Sequence, residues 1–83
     1  MPSHPRPRYR ITDATRERTY AEVDGILPFA ASHVFESLIG TRHCPPTEEE
    51  IHATLLDAGH EFSRWEVTDA LAFLCARGFI ERV

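Results

Sequence analysis

An α+β fold is what this 83-residue sequence predicts, with a small antiparallel hairpin followed by three helices. Three observations carry the prediction. Apolar and polar residues alternate near the N-terminus, as a half-buried strand requires. Two capping boxes, Thr47 with Glu50 and Ser63 with Glu66, announce helix starts. Gly40, Gly59 and Gly78 stand where helices of ordinary length would stop.

The elements follow in order. MPSHPRP, residues 1–7, holds three Pro and reads as a disordered basic tail, leaving residues 8–83 as a single domain. In RYRITDATRERTYAEVDG, Tyr9 and Ile11 alternate with polar residues, as do Thr19, Ala21 and Val23. This pattern suits a hairpin with arms of roughly 8–13 and 18–24 around a polar ATRE connection. A helix from Asp13 to Val23 competes with it, because Ala, Arg and Glu are good helix formers. The extended-looking Phe79 to Val83 needs a strand partner, which favours the hairpin. Pro28 then opens a helix with Phe29, Val34, Phe35, Leu38 and Ile39 on its apolar side, closed by Gly40. After the TRHCPP link, Thr47 caps a second helix that repeats Ile51, Leu55 and Ala58 up to Gly59. Ser63 caps the third helix, which Gly78 stops.

Composition narrows the function classes. The hydrophobic share of 42% and the charged share of 27% are ordinary for a globular protein. A net charge of −4 argues mildly against a nucleic-acid partner, since phosphate contacts supply most of that affinity. The charge is uneven. Residues 1–18 hold five Arg against Asp13 and Glu17, and residues 47–83 hold eight acids against three Arg. No apolar run approaches the roughly 20 residues of a membrane span, and no apolar signal segment follows Met1. A cytoplasmic protein without membrane partners is expected. Cys44 and Cys75 are too few for a disulfide scaffold.

The third helix is the most informative segment. At about 100° per residue, Val67, Ala70, Leu71 and Leu74 share one side and form its core face, with Cys75 at the edge. The other side holds Trp65, Asp69, Ala72, Phe73 and Ala76. A helix that is apolar on both sides is buried twice or offers one side to a partner, and an outward Trp and Phe mark a binding patch. The outline is that of a winged helix-turn-helix. As a DNA reader, however, the helix offers only Arg64 and Arg77, offset by Glu66 and Asp69. The terminal GFIERV reads as the close of the domain, with no wing expected beyond it.

The stretch EVTDALAFLCARGFI (Glu66, Val67, Ala70, Leu71, Leu74, Gly78, Phe79, Ile80) resembles the last helix of precursor-peptide recognition domains. That family serves ribosomally made, modified peptides, and includes the pyrroloquinoline-quinone peptide chaperone and leader-binding proteins of lasso-peptide pathways. Upstream, Thr47, Glu50, Ile51 and Leu55 resemble its second helix, and Ala31, Val34, Phe35, Leu38, Ile39 and Gly40 its first. The sequence departs from the family at Leu27-Pro28, where Leu-Asn is usual. The resemblance implies a non-catalytic adaptor. It would capture a precursor leader peptide by strand addition between a hairpin edge and the third helix, then present it to a leader peptidase or radical-type modifying enzyme. Carried onto this chain, the edge strand is roughly Arg18 to Asp24, contributing Arg18, Tyr20, Glu22 and Val23. The facing wall is Trp65, Thr68, Asp69, Ala72, Phe73 and Ala76.

Other chemistry finds little support. His43, Cys44, His52 and His60 lack the paired spacing of a zinc site, and Cys44 beside Pro45-Pro46 reads as a plain link. No phosphate loop or catalytic carboxylate pair is present. No catalytic residue, metal or cofactor is expected. The alternatives left open are a small winged-helix transcription regulator and a module that dimerises through Trp65 and Phe73.

Overall fold

The computed structural model describes residues 6–16 and 27–83. Its elements are β1 (Tyr9–Ile11), a short α1 (Asp13–Arg16), α2 (Phe29–Leu38), α3 (Glu48–Asp57), α4 (Arg64–Ala76) and β2 (Ile80–Arg82). The class is α+β, as expected, with a small antiparallel sheet and the three longer helices in the predicted order.

The sheet joins the two ends of the described chain. Tyr9 lies opposite Arg82, Arg10 opposite Glu81 and Ile11 opposite Ile80. The expected second hairpin arm, 18–24, lies outside the described residues, and the partner that β1 finds is β2. The other edge of β1 is also engaged. Arg8 bridges to Thr47, and the Tyr9 amide donates to the Pro46 carbonyl at 3.0 Å. The proline link therefore runs as a third backbone beside the sheet.

The first predicted arm reached residue 13, but Asp13 is helical. The reason is local. The Thr12 hydroxyl accepts from the Thr15 amide at 3.4 Å and donates to the Gly78 carbonyl at 2.9 Å, so the chain turns into a helix where a strand would have continued. The basic segment read as a tail is engaged from Arg6 onward, which pairs with Glu49 at 2.9 Å. Residues 1–5 lie outside the described set.

Both capping boxes form. The Ser63 hydroxyl accepts from the Glu66 amide at 3.1 Å, and the Glu66 carboxylate accepts from the Ser63 amide at 3.0 Å. Replacing Ser63 with Ala should lower stability by about 1 kcal/mol, read as a shift in the urea midpoint with an unchanged slope. At the far end of α4, the Gly78 amide bonds Cys75 O and the Phe79 amide bonds Leu74 O. This closing motif needs the left-handed backbone that Gly78 supplies at φ 77°. It also brings Phe79 back over the helix it has just left.

The core sits among the three long helices and the sheet. Val34, Phe35 and Leu38 from α2 meet Ile51 and Leu55 from α3 and Val67, Leu71 and Leu74 from α4, and Tyr9, Phe79 and Ile80 close the base. All four residues assigned to the core face of the third helix, Val67, Ala70, Leu71 and Leu74, are buried. Two assignments on α2 need correction. Phe29 lies about 140° round the helix from Val34 and is 73% exposed. Ile39 has left the helix for extended backbone at φ −67°, ψ 129°, and points outward.

Candidate functional site

The outer stripe of α4 carries Trp65, Asp69, Phe73 and Arg77, each four residues after the last, so they stack along one side of the helix. Trp65 is 74% exposed. Phe73 is half-buried against the core, and the Arg77 guanidinium lies 5.1 Å from its ring centroid.

Beside this stripe runs an open groove of about 170 Å³. From α4 it takes Trp65, Glu66, Asp69, Ala70 and Phe73; from the entry of α2 it takes Pro28, Ala30 and Ala31. The hollow follows from side-chain size. Three alanines meet where the two helices pass, too short to fill the gap, while Trp65 and Phe73 stand as walls. Thus Trp65, Asp69 and Phe73 among the predicted wall residues share one groove.

The other predicted residues lie elsewhere. Thr68 turns toward α3, where its hydroxyl donates to Glu48 at 2.8 Å. Ala72 and Ala76 are exposed and do not line the groove. Arg18, Tyr20, Glu22 and Val23 lie outside the described residues. The described second wall is the start of α2, where the sequence reading expected a hairpin edge. Pro28, Ala30 and Ala31 were missed; the signal available was a pair of alanines in the first turn of an otherwise bulky helix.

The charges around the groove divide into committed and free. One carboxylate oxygen of Glu66 is held by the Ser63 amide. The Asp69 carboxylate makes no hydrogen bond or ion pair with another described residue. Arg64 is committed elsewhere, 3.0 Å from Glu48 and 3.2 Å from Glu49. Its hydrogen bond to Glu48 raises its pKa further, so it stays a cation. Glu49 is held below the ordinary carboxylate range first by a backbone amide bond at the helix start and then by Arg6 and Arg64. Glu50 is lowered first by the Thr47 amide, with Arg8 adding to it at 3.2 Å. A second hollow of about 270 Å³ lies between Arg6, Pro7 and Tyr9 and the carboxylates of Glu48 and Glu49, but the ion pairs just named already satisfy its charges.

An aromatic and histidine cluster adjoins the exposed Phe29. Its ring meets His33 edge-on at 4.6 Å between centroids and Phe62 at 5.8 Å, and His33 lies 4.0 Å from His60. His52 Nε2 is 2.7 Å from the Phe62 carbonyl, which pins the loop before α4. Among the described residues, no three His, Cys, Asp or Glu side chains gather to hold a metal ion. Cys44 is exposed in the link, and burial raises the pKa of the Cys75 thiol, which disfavours its thiolate. No helix among the described residues is long and apolar enough to cross a membrane.

Comparison with protein-family models, curated proteins and solved structures finds no match to this chain.

Proposed function

We propose that this protein is a non-catalytic, cytoplasmic peptide-binding adaptor. It captures the leader of a ribosomally made precursor peptide and presents it to a modifying or processing enzyme. The observation that carries the reading is the groove between α4 and the entry of α2, with an alanine floor and walls of Trp65 and Phe73. An apolar trough with a few convergent polar groups suits an extended peptide better than a duplex. The likeness of the α3 and α4 sequences to leader-recognition domains supports the same reading. Arg64, the cation a DNA-reading helix would offer from its first turn, is tied to Glu48 and Glu49, which weighs against a transcription regulator.

The test is titration of a synthetic precursor leader peptide, followed through emission of the sole Trp, Trp65. A dissociation constant of about 10 µM or tighter is expected, equivalent to about 7 kcal/mol, with a blue shift as the peptide covers the ring. Phe73→Glu should weaken binding at least about tenfold by placing a desolvated charge in the trough. No binding at that concentration, or binding indifferent to Phe73→Glu, defeats the proposal.

A further inference from the structure

The stripe on α4 reads aromatic, acid, aromatic, base: Trp65, Asp69, Phe73, Arg77. Asp69 lines the groove and carries no partner among the described residues, and Glu66 adds a second carboxylate to the same end. Among the described residues, no Arg lines the groove. Arg77 stands beyond it, over the face of Phe73. The α4 side of the trough is therefore acidic, and a cation stands just beyond it, with the Phe73 ring between them.

Helix geometry sets the spacing of these charges. Eight residues at about 1.5 Å of rise separate Asp69 from Arg77 by about 12 Å along the axis. Four residues of extended chain cover about 13 Å. Side chains four apart on a strand also point to the same face. An extended peptide lying along α4 thus meets both charges when its own ions sit at positions i and i+4.

Resting on the peptide-binding reading above, we infer that the groove selects an extended segment with a basic and an acidic residue four positions apart and aliphatic residues between. The basic residue faces Asp69, the acidic one faces Arg77, and the aliphatic side chain between them sits against the Phe73 ring. The charges select register, while the apolar contacts supply most of the affinity.

The experiment uses the full chain and synthetic probes labelled with fluorescein. The first is a ten-residue peptide with an arginine at its third position, a glutamate at its seventh, and leucine and serine elsewhere. The second is its reversed sequence, because the direction of the bound strand is free. Neutral probes carry glutamine at both charged positions. The tighter charged probe should bind about fivefold better than its neutral counterpart at low salt, and the advantage should shrink at high salt. Asp69→Asn should remove most of that preference, bringing the charged probe to within about twofold of the neutral one. Asp69→Arg should turn it toward a probe with glutamate in place of the arginine.

Equal affinity for charged and neutral probes overturns the inference, as does a preference that survives Asp69→Asn or the failure of every probe to bind. The outcomes separate the two proposals. A precursor leader that fails to bind while the charged probes bind with the stated preference removes the leader assignment and leaves this selectivity standing. A leader that binds with no response to Asp69→Asn or to neutralising its own charges does the reverse.

Discussion

Leu74→Ala should destabilise the protein by about 3 kcal/mol and lower its melting temperature by about 15 °C. Leu74 is fully buried where α4 faces the other two long helices. Its carbonyl also receives the Phe79 amide that closes the helix. Truncation removes apolar surface and leaves a cavity lined by side chains from several elements, which cannot all collapse at once. A domain of this size has a stability of about 5 kcal/mol, near the low end for folded proteins, so the loss consumes most of it. Leu74→Met, which keeps the volume, should cost less than about 1.5 kcal/mol. Urea unfolding followed by circular dichroism measures both. A loss below about 1 kcal/mol for the alanine variant would mean that the three helices do not meet at this residue.

Trp65→Ala should leave stability within about 0.5 kcal/mol of the parent and weaken leader binding about thirtyfold, or 2 kcal/mol. The asymmetry follows from its position. Trp65 is mostly exposed in the first turn of α4, so folding draws little from its indole. A bound peptide would cover that ring and recover a large apolar area at small entropic cost, since a tryptophan has only two side-chain torsions to fix. Because the variant lacks its fluorescent reporter, calorimetry is the appropriate measurement. An unchanged affinity would move the peptide off this groove, and a large drop in stability would mean the ring supports the fold itself.

The parts of the fold legible in the sequence were those decided within a few residues. The boxes at Thr47 and Ser63 and the glycine stops are local chemistry, and the inward side of α4 follows from helical spacing alone. Phe29 failed because a count of apolar residues ignores angle, and Ile39 because the chain leaves the helix just before it. The turn at Thr12 was hidden because its hydroxyl is satisfied by Gly78, 66 positions away. The candidate site divides the same way. Trp65, Asp69 and Phe73 were readable as one side of one helix. The facing wall at Pro28, Ala30 and Ala31 depends on how two helices pass each other, which no short window records. Thr68 entered the wall only through the family resemblance, and the carboxylate of Glu48 holds it toward α3.

The pairing of β1 with β2 has a kinetic consequence. Arg10 and Glu81 are 71 positions apart, whereas the helix caps close over three or four. Contacts between distant positions form after local ones, although the entropy of closing a longer loop grows only logarithmically. The sheet is therefore expected to close late, over helices that pack first. Weakening it should speed unfolding and leave the rate of folding nearly untouched.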